Sequence, residues 1–144
     1  MFKKFVAVGL VLLVALLMVG CAKTFKEDDV KDFAHPITEN LLIGFNEENY
    51  AKFSQDFDEA MLKGIPEEKF GDLLSEIRGK IGDYVEGSKK FVTAVQKGNY
   101  ITVIYNAGFV QETSQVKITI SFEKVGDSYK VAGLYFNSPK LSGK

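Results

Sequence analysis

The chain has 144 residues, 46% hydrophobic and 26% charged, with one Cys, one His, no Trp and a formal net charge of −1. These averages exclude a polytopic membrane protein, a disulfide-stapled scaffold, a basic nucleic-acid binder and a disordered chain. They also hide two unlike populations: residues 1–20 hold 16 hydrophobic residues, two Lys and no acid, which leaves 16 basic against 19 acidic residues, or −3, for the other 124. That remainder is enough chain for one globular core.

Lys3 and Lys4 precede an apolar run of 15 residues, Phe5 to Val19, the layout of a secretory signal. The run ends in Leu17-Met18-Val19-Gly20-Cys21, which resembles the bacterial lipobox, with Met18 where that pattern prefers Leu. The resemblance implies that Cys21 receives a diacylglyceryl thioether and becomes the mature N-terminus. An uncleaved anchor is the rival, since Phe5 to Ala22 gives 18 uncharged residues, the short end of the spanning range. A lone Cys placed after Gly at the end of the apolar run favours lipidation, with ordinary secretion a third reading. Acyl chains contribute about 0.8 kcal/mol per buried CH₂, so a diacylated Cys anchors stably. The expected order is a signal peptide (1–20), a lipidated N-terminus and polar tether (21–29), one domain (30–138) and a tail (139–144). The membrane is then a partner through Cys21, and the domain works in the cell envelope, outside the cytoplasm.

Val30, Phe33, Ile37, Leu41 and Phe45 recur at three and four, an apolar helical stripe. Pro36 inside it predicts a kink or restart. Asn46-Glu47-Glu48-Asn49 forms a polar turn in which Asn49 can cap a second helix, marked by Tyr50, Phe53, Phe57, Ala60 and Met61 and closed by Gly64. Pro66 opens a third, with Phe70, Leu73, Leu74, Ile77 and Ile81 on one face and Gly82 at its C-terminal cap.

From Lys89 the period becomes two. Lys89 to Gln96, Tyr100 to Glu112, Gln115 to Val125 and Ser128 to Asn137 are strand candidates, separated by Lys97-Gly98-Asn99, Thr113-Ser114 and Gly126-Asp127. Gly108 and Gly133 read as bulges that curve the sheet. The predicted fold is α+β, three N-terminal helices on a curved four-stranded antiparallel sheet.

That order, with Leu42-Ile43-Gly44-Phe45-Asn46-Glu47-Glu48-Asn49-Tyr50 running into Phe53-Ser54-Gln55-Asp56-Phe57-Asp58 and with Tyr129-Lys130-Val131-Ala132-Gly133-Leu134-Tyr135-Phe136 as closing strand, resembles the domain of unknown function 3887. The family is grouped with the nuclear-transport-factor-two-like (cystatin-like) folds, and the resemblance covers about residues 33–137. It implies a cone with an internal pocket and carries over no catalytic residue.

The residues themselves point away from chemistry. His35 is the single imidazole and reads as a capping or surface residue. With no second His and no further Cys, the usual zinc ligands are missing, and no Gly-rich run cradles a phosphate. Asp56 and Asp58 lie about 200° apart on a helix and read with Glu59 as a solvated face. No catalytic residue, metal or cofactor is assigned. The aromatic wealth, 12 Phe and 6 Tyr, reads first as core. The alternative is a cavity lined by Phe57, Asp58, Tyr105, Asn106, Tyr135 and Asn137. Three functions follow: a non-catalytic module for a small apolar ligand or a protein partner, an enzyme using the cone for acid/base chemistry, and a structural protein forming a homodimer through its sheet. A cone filled by Phe and Tyr side chains, with no cavity, defeats binding through the concave sheet face and the enzyme reading, and leaves an interaction role.

Overall fold

A computed structural model describes residues 22–143, so the segment expected to direct export and the expected lipidation site Cys21 lie outside the described residues. In chain order the elements are β1 (Lys23–Phe25), α1 (Glu27–Asn46), α2 (Tyr50–Phe53), α3 (Glu59–Gly64), α4 (Glu67–Ile81), β2 (Lys90–Lys97), β3 (Tyr100–Phe109), β4 (Glu112–Val125) and β5 (Ser128–Asn137). The strands form one antiparallel sheet in the order β1-β2-β3-β4-β5. The α+β class holds, but among the described residues the sheet has five strands where four were expected, and four helices replace three.

The extra strand comes from the stretch read as a tether. Lys23, Thr24 and Phe25 pair with Gln96, Val95 and Ala94, and α1 begins at Glu27. The composition of this stretch is polar, yet Phe25 packs against the core, which ties the segment down.

The predicted break at Pro36 is absent: α1 runs unbroken from Glu27 to Asn46. Pro36 is exposed, so the hydrogen bond that its ring nitrogen cannot donate is lost on the solvent side, where the freed carbonyl is open to water. Meanwhile Val30, Ala34, Leu41, Leu42 and Phe45 are buried on both sides of it. Burial of that face outweighs a cost of about 3 kcal/mol for an interior proline.

The predicted second helix is split. Between α2 and α3 the chain extends along the edge of β5, where Asp58 N–H donates to the Val131 carbonyl (2.9 Å) and Val131 N–H to that of Asp56 (2.7 Å). The unpaired edge of β5 competes with the helical stripe and wins. Asn49 caps α2 as expected, accepting from Lys52 N–H at 3.0 Å, and Asp58 caps α3. The third predicted helix matches α4, bounded by Pro66 and by Gly82 at φ +76°. The predicted turn at Thr113-Ser114 falls instead at Val110-Gln111, because Val110 and Gln111 N–H donate to the carbonyls of Asp83 and Ile81 and hold the hairpin against the end of α4.

Helices cover one face of the sheet. On that face Val103, Tyr105, Ala107 and Phe109 of β3 and Val116, Ile118, Ile120 and Phe122 of β4 are buried, in strict alternation with half-buried or exposed neighbours. Register shifts at Gly108 and next to Gly133 mark the two expected bulges, and a third lies between Phe91 and Thr93.

α2 crosses α1 at Gly44, where an added Cβ would lie 2.5 Å from the Phe53 backbone nitrogen. Gly44→Ala is therefore expected to destabilise the fold by about 1–3 kcal/mol in urea unfolding. Gly79→Ala, on the exposed side of α4 with open space around it, is expected to stabilise by about 0.5–1 kcal/mol.

Candidate functional site

α1 carries two polar networks along one flank. His35 Nε2 lies 2.8 Å from Glu27 Oε1 and Nδ1 lies 2.7 Å from the Tyr105 hydroxyl. A glutamate only accepts, so in the neutral imidazole Nε2 carries the proton and Nδ1 accepts from Tyr105. One turn on, Glu39 accepts from the Tyr84 hydroxyl (2.9 Å) and pairs with Lys89 (2.9 Å), whose side chain is 11% exposed and whose ammonium sits over the Tyr105 ring. His35 is thus neither cap nor free surface residue: α1 starts eight residues before it, and the imidazole bridges helix and sheet.

Burial drives the acidities of both phenols. It holds the Tyr105 hydroxyl protonated far above the usual range, against the neighbouring Thr38 hydroxyl and with help from the Glu27 charge. Tyr84 is raised by burial and then by the Glu39 carboxylate. For Glu39 burial likewise favours the protonated form, but Lys89, the Tyr84 hydroxyl and Gly87 N–H outweigh it and hold the carboxyl below its ordinary value. Glu27, His35 and Tyr105 have the order of a proton relay, but it ends at a phenol that is 0% exposed. Such a chain positions α1 on the sheet. Glu39 and Lys89 went unread in the sequence, although Glu39 stands four residues from His35 on the same helix flank.

The six cavity candidates are dispersed. Phe57 and Tyr105 are packed in the core. Asp58 caps α3 and faces Glu123, whose carboxyl it raises. Asn106 shares a row with Lys117 and Asn137 on the sheet face away from α1. Tyr135, 64% exposed, and Asn137 border a cleft between α4 and β5.

The cleft has a volume of about 290 Å³. Ile65, Leu73 and Ile77 form one wall, Leu134 and Phe136 the other, and Leu141 the end; Glu76 and Lys80 stand among its polar groups. The interior positions of the domain are filled instead. Phe109 packs edge-on to Phe45 and Phe136, and Phe53 lies between Phe57 and Phe70 with centroids 5.1 and 4.7 Å away.

The C-terminal stretch expected as a tail builds part of that cleft. Glu112, 9% exposed at the start of β4, accepts from Lys140 N–H (3.1 Å) and Ser114 N–H (3.2 Å), while Lys140 Nζ donates to the Gln111 carbonyl. Ser142 N–H and Leu141 N–H close a turn onto Ser138. Ser138 first, and then the two N–H groups and Lys140, hold the Glu112 carboxyl below the ordinary range despite partial desolvation. A depressed carboxylate contributes stability above its unfolded pKa and loses it as pH falls through the folded one. Glu112→Gln at pH 7 is therefore expected to speed amide exchange of Leu141 and Ser142 while β3 and β4 stay protected. Acidifying the wild type from the ordinary carboxyl range down through the depressed folded one develops the same local effect, checked by pH-corrected hydrogen exchange.

Neither the curated proteins nor the solved structures contain a match to this chain. A protein family does match, over residues 24–134, from β1 to the middle of β5. By that match the chain belongs to the family described as Protein of unknown function (DUF3887).

Proposed function

We propose that this chain is a lipid-anchored extracytoplasmic lipoprotein whose domain is a non-catalytic binding module, taking a small apolar ligand in the cleft between α4 and β5. The observation that carries the binding half is the cleft: about 290 Å³ lined by Leu73, Ile77, Leu134, Phe136 and Leu141. That is the small end of the range for ligand sites, about 300–1,000 Å³, and an apolar wall with a few polar groups at the rim is their usual composition. The resemblance to the nuclear-transport-factor-two-like folds would place a ligand inside the cone. Here Phe45, Tyr84, Tyr105, Phe109 and Phe122 occupy the interior, so support for a reaction chamber is weaker than for an outer cleft. The anchoring half rests on Lys3, Lys4, the run from Phe5 to Val19 and Gly20-Cys21.

Titration of the isotope-labelled protein with 2-naphthol, a small apolar probe, is expected to shift amides of Leu73–Lys80 and Leu134–Asn137. Ile77→Glu, which puts a carboxylate in the apolar wall, is expected to weaken those shifts at least about tenfold without altering the fold. Shifts confined to other segments, or unchanged by Ile77→Glu, sink the cleft as the site. For the anchor, Cys21→Ser is expected to move the protein from the detergent phase to the aqueous phase on temperature-induced partition. A mutant retained with the detergent would point to an uncleaved span.

A further inference from the structure

Only Ala22 separates Cys21 from Lys23, and Lys23 is already paired with Gln96 in the sheet. Two residues of extended chain reach at most about 7 Å. A lipid on Cys21 therefore leaves the domain no length with which to stand off the bilayer. Building on the anchored reading above, we propose that the end of the sheet carrying the β2–β3 and β4–β5 hairpins is a membrane-facing surface that rests on the lipid headgroups.

The register assembles this surface. Lys23 opposite Gln96 stands beside the Lys97–Tyr100 hairpin, Tyr100 pairs with Glu123, and Val125 opposite Ser128 closes the neighbouring hairpin. The chain's N-terminal exit and both hairpins thus share one end. Tyr100 and Val125 are 48% and 51% exposed there, and a tyrosine ring suits the depth of the headgroups. Lys23, Lys97 and Lys124, all exposed, lie at the same end, and a lysine stem can run along apolar surface while its ammonium reaches phosphate. Glu123 and Asp127 share this end, so the short link to the anchor, rather than net charge, selects it.

Exposure does not select it either, because Val110 at the opposite end is 64% exposed. The ten residues of β3 set the two ends about 30 Å apart. The cleft beside Leu134–Asn137 lies toward that far end.

The chain has no Trp, so single tryptophans report depth without interference. Val125→Trp and Val110→Trp are made in the full lipoprotein and reconstituted in phosphatidylcholine–phosphatidylglycerol vesicles with or without brominated acyl chains. Val125→Trp is expected to shift to the blue and lose at least about half its emission to bromine, while Val110→Trp keeps nearly all of it. A Val125→Trp signal that stays unquenched, or equal quenching at both positions, overturns the surface. The mass of the N-terminal peptide from the same vesicles separates the two readings. With Cys21 lipidated, an unquenched Val125→Trp defeats the membrane-facing end alone; with Cys21 unmodified, the anchor reading fails and takes this surface with it.

Discussion

Between Val30 and Phe45 one face of α1 lies against the inward side chains of β3 and β4, and the rest of the domain is arranged around that contact. Phe33 stacks on Tyr129 and meets Phe122 edge-on at one end of the helix, while Phe45 packs on Phe136 and Phe109 at the other. Each large apolar side chain buried this way contributes about 1.5–3 kcal/mol, enough in sum to carry the helix straight through Pro36. The polar flank of the same helix is fastened separately, by His35 to Tyr105 and by Glu39 to Tyr84 and Lys89. With its rotation and position along the sheet held from both sides, α1 can present Gly44 to α2 and Asn46 to the backbone of Tyr84.

The second constraint is the edge of β5. An open strand edge invites pairing with another chain, and folded proteins cover it or use it. Here Asp56–Asp58 covers the part at Val131, and α4 with the C-terminal turn walls off the part from Leu134 to Asn137. The cleft is the space left because α4 leans on that edge without filling it. Glu112 matters for the same reason: by accepting from Lys140 and Ser114 it keeps Leu141 at the end of the cleft. The opposite edge is taken by β1, whose pairing with β2 places the start of the described chain at one end of the sheet. Cleft and chain start therefore lie toward opposite ends.

Much of the fold was legible because its signals are local. Pro66 and Gly82 bound α4, Asn49 caps α2, Gly98 and Gly126 make the hairpin turns with positive φ, and the alternation from Val116 to Phe122 marks one buried face. Where the reading departed from the structure, a distant partner had decided. Lys23–Phe25 carries no strand pattern of its own and pairs because Gln96 offers an edge. Phe57 fits a helical stripe but is drawn to Val131, and the β3–β4 turn moves to Val110 because the end of α4 accepts its N–H groups. The candidate site was less legible. Tyr135 and Asn137 border the cleft, but Leu73, Ile77 and Leu141 come from a helix and a tail that no spacing rule links to β5.

By itself the sequence determined the α+β class, the helical and strand periods, the family membership and the separation of an apolar, acid-free N-terminal stretch from an acidic remainder, since each depends on residue type and near-neighbour spacing. Tertiary structure alone decided which apolar faces meet and that the cleft lies outside the core, between α4 and the open edge of β5. The physical reason is that a cavity is what packing leaves unfilled. It belongs to the fit between elements far apart in the chain, and no single stretch of residues carries it.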